Sequence, residues 1–242
     1  MKHASNIAYL CYNAIMAIDE KELRKYANTI SIERLLSFKH DDNDTIDVLI
    51  DRYKTNLKIS QALYPELLTL EVTLRNAIDT MLKNCISETW IEDEVHQQKI
   101  LANHEHEMLL TAYNDIKKSY SNKNFTIGKV IANLTFGFWT NLCSKWYCSN
   151  IWNKGRCFKG VFVNYPSNVN NIGTIAIKLR LIRRFRNRIF HYEPIFKKPQ
   201  NTLKMYNEIM EMLSYLPSDS SDILKETSNF LNVYNESIAS LK

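Results

Sequence analysis

Apolar residues recur at intervals of three and four along much of this chain. Leu67, Leu74, Ile78 and Leu82 form one such stripe, and Leu179, Ile182, Phe185 and Ile189 form another. That period belongs to helices buried on one side, not to strands, whose period is two. Only five Gly and five Pro occur in 242 residues. So few turn signals argue against a sandwich or barrel of many short strands. Hydrophobic residues make up 45% of the chain, enough for a substantial core. The expectation is an all-α fold of about eight or nine helices in one domain.

Local signals divide that expectation along the chain. Residues 4–28 read as one or two amphipathic helices carrying Tyr9, Tyr12, Ile15 and Met16. Ser31 is placed to cap a helix over 32–39, and Asp44 to cap one over 45–62. Pro65 suits the first turn of the next helix, 65–86. A polar helical region at 88–120 precedes a turn at 121–124 and a helix over 127–148. Phe136, Phe138, Trp139, Trp146 and Tyr147 lie on that last helix. They read as core more than as a platform for stacking bases. Residues 149–171 form an irregular connection mixing Lys154, Arg156 and Lys159 with Trp152, Phe158, Phe162 and Tyr165, either a basic guide for RNA or a lid on the core. Helices over 172–191, 202–216 and 221–241 complete the chain, with a break at 217–219. On this reading residues 1–44 and 201–242 elaborate a core spanning 45–200, in which helix 65–86 packs against helix 172–191.

Several functional classes fall away. Five cysteines are an odd number without a Cys-x2-Cys pair, so a disulfide framework is not expected and a reducing cytoplasm fits. Zinc through Cys143, Cys148 and Cys157 lacks the usual ligand pairing. The acidic loop at 40–44 has neither the glycine nor the distal glutamate of an EF-hand. His104-Glu105-His106-Glu107 alternates two apart, which does not gather ligands on one helix face and reads as solvated surface. No stretch is apolar enough to span a bilayer, and residues 4–18 lack the flanks of a signal peptide. No metal or cofactor is expected.

Charge is concentrated in one place. The chain has 31 Lys+Arg against 26 Asp+Glu, yet residues 178–188 alone hold six bases and no acid, leaving 25 against 26 elsewhere. Those bases are Lys178, Arg180, Arg183, Arg184, Arg186 and Arg188. Like charges at i,i+4 repel, so a merely solvated face would not gain from this pattern. A local cationic cluster is a candidate footprint for phosphate. Just beyond it, Pro194 disfavours helix at Glu193 and predicts an unwound last turn near His191. Such a turn would let His191 meet Arg186, with Asn187 alongside. An arginine for phosphate charge, a histidine for proton transfer and an amide for positioning suit phosphodiester cleavage without metal. Glu71 falls within the apolar stripe of helix 65–86 and needs a partner. It pairs either with Arg75 at i,i+4 or with an arginine of the cluster, in which case Arg75 and Asn76 line the same cleft.

The run Arg186-Asn187-Arg188-Ile189-Phe190-His191-Tyr192-Glu193-Pro194-Ile195-Phe196 resembles the C-terminal signature of the Abi-like (abortive infection) proteins, a branch of the HEPN superfamily. Leu70–Ile78 resembles the family's early helix, and Leu134–Leu142 its central aromatic motif. Tyr192 stands where related proteins often carry a second histidine. The resemblance, over about residues 30–200, implies a HEPN-like helical bundle and a metal-independent endoribonuclease. It implies His191 as general acid or base, Arg186 as the group facing the phosphorane, and Asn187 as the positioning amide. Lys178, Arg180, Arg183, Arg184 and Arg188 would grip RNA, with Glu71, Arg75 and Asn76 in support. It further implies a homodimer with a composite cleft, a role in stopping phage-infected cells, and restraint by a small RNA or an antitoxin. The alternative from the residues alone is a protein that binds RNA without cutting it. A weaker one is a protein-interaction module docking a partner helix on the aromatic segment.

Overall fold

The computed structural model describes residues 25–26, 29–121, 124–167, 170–195, 199–217 and 219–239. The expected helices over 4–28 lie almost wholly outside the described residues. Among the described residues every regular element is helical. In chain order these are α1 (Ile32–Leu36), α2 (Ile46–Ala62), α3 (Tyr64–Cys85), α4 (Trp90–His96), α5 (Asn103–Ser119), α6 (Ile127–Asn133), α7 (Phe136–Leu142), α8 (Cys157–Val161), α9 (Ile172–Phe190), α10 (Pro199–Tyr215), α11 (Ser220–Thr227) and α12 (Phe230–Ala239). A 3-10 turn at Lys145–Tyr147 and a π turn at Cys148–Trp152 lie between α7 and α8. No helix among the described residues is long and apolar enough to cross a membrane.

The chain forms two compact units. The first takes in the described residues of Met1–Tyr64, Phe185–Lys204 and Asn229–Lys242. The second takes in those of Pro65–Arg184 and Met205–Ser228.

In the first unit, Ser31 caps α1 as expected, its hydroxyl accepting from the Arg34 N–H. Thr45, not Asp44, caps α2. Asp44 instead accepts the N–H groups of His40 and Asp41 at 2.7 and 2.8 Å and takes a bidentate hold on Arg52 at 2.5 and 3.0 Å. Burial raises the affinity of this carboxyl for its proton. Arg52 and the two N–H groups outweigh that and keep it well below the usual carboxylate range. Leu35, Phe38, Ile46, Leu49 and Ile50 form the core here, with Tyr26 and Tyr53 packed against it. Helix α12 packs along α2.

In the second unit, Pro65 sits in the first turn of α3, where its missing N–H has no intrahelical acceptor to lose. Leu67, Leu74, Ile78 and Leu82 are all buried, as their spacing predicts. So are Trp90, Trp139 and Trp152, each worth about 4–6 kcal/mol of apolar burial. Trp90 donates to Asp79 at 2.9 Å, and Trp152 to the Leu142 carbonyl at 2.7 Å.

Three long helices expected from periodicity are broken, each for a local reason. The 88–120 region divides into α4 and α5 because Glu94 gathers the N–H groups of Lys99, Ile100 and Leu101 at 2.6–3.3 Å. The 127–148 region divides at extended Leu134, after which Thr135 caps α7. The 221–241 region divides at extended Ser228, whose hydroxyl donates to the buried Glu66. Residues 149–171 are more regular than expected. Trp152, Phe158 and Phe162 there are buried, which favours the lid over the guide.

Candidate nucleic-acid interface

Helix α9 carries the basic cluster. Its apolar stripe of Leu179, Ile182, Phe185 and Ile189 is buried at 8% exposure or less, which sets the charged residues on the remaining faces.

The end of α9 belongs to the first unit and is closed, not frayed. The Glu193 N–H reaches back to the Arg188 carbonyl at 2.9 Å, and the Tyr192 N–H to the Ile189 carbonyl at 3.0 Å. This six-to-one and five-to-two pair is a Schellman cap with Tyr192 at the left-handed position, φ 57°. The expected unwinding near His191 is therefore replaced by an ordered turn. Glycine is usual at that position because a side chain crowds the following carbonyl.

Side chains from elsewhere in the unit hold this turn. Arg34 Nη1 donates to the His191 carbonyl at 2.5 Å. Asn56, fully buried, donates to the Glu193 carbonyl at 3.2 Å and accepts the Ile195 N–H at 2.8 Å. Thr202 donates to the Ile195 carbonyl at 2.6 Å. Arg188 pairs with Glu193 at 3.2 Å and also donates to the Pro194 carbonyl. His191 is held by its backbone while its ring stands exposed. Asn187 is exposed one turn earlier and accepts the His191 N–H through its carbonyl at 2.9 Å. Arg186 is half-buried, its guanidinium 4.1 Å from the centre of the Phe190 ring. Stacking of this kind holds the planar group in place.

The second unit holds the other bases. Lys178 is taken up by Glu208 and Glu211 at 2.5 and 2.7 Å. Burial favours loss of its proton, but the two carboxylates outweigh that and raise its pKa. Thus acids from α10 and the loop after α9 relieve part of a cluster that has none within its own segment. Arg183 Nη1 donates to the Gly137 carbonyl at 3.3 Å, Thr140 at 3.2 Å and Asn141 at 2.6 Å, all neutral acceptors. Arg180 and Arg184 are exposed. On α3, Glu71 and Arg75 are half-buried and Asn76 is exposed. Arg75 Nε donates to the Asn76 side-chain oxygen at 3.3 Å.

Beyond Arg183 runs a chain of polar contacts that the sequence did not suggest. Asn141 passes its amide N–H to Glu105 at 2.9 Å. The other Glu105 oxygen accepts the Tyr147 hydroxyl at 2.8 Å, and that hydroxyl accepts the Ala102 N–H at 3.0 Å. Burial, and the nearby carboxylates Glu105 and Glu94, push the Tyr147 hydroxyl well above its ordinary pKa. This corrects the reading of 104–107 as solvated surface: Glu105 is 7% exposed. His106 lies largely inward too, its Nδ1 3.8 Å from Glu94. A polar run at a helix start carried no signal that one carboxylate would turn inward.

The same region places a cavity of about 390 Å³ beside Arg183, lined also by Lys145, Ser144, Gly173 and Arg180. Trp146, next to Lys145, is 74% exposed, unlike Phe136, Phe138, Trp139 and Tyr147, which are buried as expected. On an unbroken helix Trp139 and Trp146, seven apart, would share a face. Because α7 stops at Leu142, they do not. No family model matches the chain, and no curated protein or solved structure matches it.

Proposed function

We propose that this chain is a metal-independent endoribonuclease of the Abi-like HEPN kind, built as a HEPN-like bundle and acting against RNA in cells under phage attack. The observation that carries the reading is the closed end of α9. It presents an exposed His191 on a backbone tied by Arg34 and Asn56, one turn beyond a ring-stacked Arg186. Catalysis of this type needs positioned groups more than many groups. His191 takes the proton of the RNA 2′-hydroxyl as that oxygen attacks the adjacent phosphorus, or returns one to the leaving 5′-oxygen. Positioned acid–base chemistry of this sort contributes about 10²–10⁴-fold. Arg186 faces the charge that builds on the phosphorane, a role weighted to the transition state. Asn187 positions the phosphate or the imidazole. DNA lacks the nucleophile and is not cut. The working form is a homodimer, since one chain carries a single copy of the motif. A small RNA or an antitoxin restrains it.

The test is cleavage of RNA in EDTA by protein stripped of co-purifying nucleic acid. The wild type is expected to leave 2′,3′-cyclic phosphate ends, and Arg186→Ala and His191→Ala to lose at least about 10²-fold in rate. Unchanged cleavage in His191→Ala overturns the assignment. A second reading is favoured by the exposure of Arg180 and Arg184 and the nearby Lys145. In that reading the protein holds RNA without cutting it, and salt-sensitive binding without cleavage by all three proteins is its signature.

A further inference from the structure

We infer that the second unit carries a track for single-stranded nucleic acid, made by Trp146, Lys145, Arg180 and Arg183 and separate from the residues proposed to cut. Its use on RNA rests on the proposed function; its binding chemistry does not.

The track starts from how Tyr147 is fixed. Glu105 and the Ala102 N–H hold its hydroxyl inside. In the three-residue 3-10 turn this leaves Lys145 and Trp146 outside, Trp146 74% exposed. Three hollows meet there. That of about 250 Å³ is floored by Tyr147 and bordered by Trp146. It shares Asn141 and Ser144 with the 390 Å³ cavity, which in turn shares Lys145, Gly173 and Ile177 with a third of about 400 Å³ at the start of α9. Through these shared residues the three hollows adjoin, and together they make up the track.

Its chemistry is cationic and aromatic. Lys145, Arg180 and Arg183 line it, while its acid, Glu105, already bonds Asn141 and Tyr147. An exposed indole beside lysine and arginine suits an unstacked base with its phosphates close by, and a duplex offers no such base. Two asparagines at the start of α9 are occupied within the fold. Asn170 bonds Trp152, Asn153 and Ile172, and Asn171 bonds Tyr165 and Thr174. The grip therefore rests mainly on charge and stacking.

Gly173 has a specific part in it. A Cβ there would lie 2.5 Å from Lys145 Cε, so the lysine stem crosses the first turn of α9 only because residue 173 has no side chain. The obstacle is the far end of a flexible side chain, so Gly173→Ala moves the lysine and spares the fold.

The experiment uses the full chain with fluorescein-labelled 12-residue oligouridylate and oligodeoxythymidylate, read by anisotropy over a range of salt. Both oligomers bind the wild type. Trp146→Ala weakens both by about 5- to 150-fold, and Trp146→Phe restores part of the loss. Lys145→Gln with Arg180→Gln lowers the salt slope by about 1.4. Gly173→Ala weakens binding with no loss of melting temperature. Wild-type levels of binding in Trp146→Ala and in the charge variant overturn the track, as does failure of the wild type to bind either oligomer. So does a change of oligomeric state in Trp146→Ala with affinity intact. Cleavage separates the two proposals. Binding that depends on Trp146 without any cleavage keeps the track and removes the nuclease. Cleavage by the wild type, with binding indifferent to all these variants, does the reverse.

Discussion

Two irregular stretches bear the candidate chemistry, and they are held by opposite means. At 191–195 the anchors grip the main chain: Asn56 takes the Glu193 carbonyl and the Ile195 N–H, and Arg34 takes the His191 carbonyl. At 141–147 the anchors grip side chains. Glu105 holds Asn141 and Tyr147, and Asn141 holds Arg183. A main-chain anchor fixes where a residue starts and leaves its side chain at liberty, which suits the proton exchange proposed for His191. A side-chain anchor fixes the functional group itself, which suits an arginine kept facing a phosphate. The first stretch is therefore more tolerant of changes in its own side chains than the second.

Asn56→Ala should show the largest effect. One buried and one part-buried main-chain group lose their partner, at a cost of about 2–4 kcal/mol in urea unfolding. The Ile195 amide should also lose protection from hydrogen exchange. A loss below about 1 kcal/mol would mean that water replaces the amide, and the main-chain anchor would be secondary.

Glu105→Gln should cost less, about 1–2 kcal/mol, because the shape is kept while one charge-assisted acceptor is removed. It sharpens the comparison through a second readout. Removing the carboxylate from the groove should tighten binding of a single-stranded oligonucleotide as the protein loses stability. Weaker binding would show that the orientation of Asn141 and Arg183 matters more than the local field.

Tyr192→Gly should have the smallest effect and the opposite sign. Relief of the left-handed backbone should raise stability by about 1 kcal/mol, seen as a higher melting temperature. RNA cleavage should be unchanged if the turn is set by its main-chain anchors. A fall in cleavage would assign the Tyr192 ring a part in the site.

Much of the fold was legible because helix formation is local. The Ser31 cap, the place of Pro65 and the buried stripes of α3 and α9 each depend on residues within one or two turns. Breaks were harder to see. The N–H groups that end the helical pattern after α4 turn toward Glu94, and no periodicity reports that competition. The candidate site was partly legible. Arg186, Asn187 and His191 are proposed from spacing and chemistry, whereas Asn56, Glu105 and Lys145 carry no motif. They matter through residues 35 or more positions away, Glu193, Asn141 and Arg180 respectively.

The sequence by itself determined that this chain is helical, where its apolar faces lie and where its positive charge collects. Those properties follow from repeats of three and four residues and from composition, and distant partners do not change them. The tertiary structure decided what each charge does. It brought Glu208 and Glu211 to Lys178, neutral oxygens to Arg183 and a ring to Arg186, and it left Arg180 and Arg184 exposed. It also sent Glu105 inward and Trp146 outward. The reason is physical. Burial of an apolar stripe is a property of one helix, whereas the fate of a charge depends on the counter-charge, dipole or solvent that the rest of the fold places beside it.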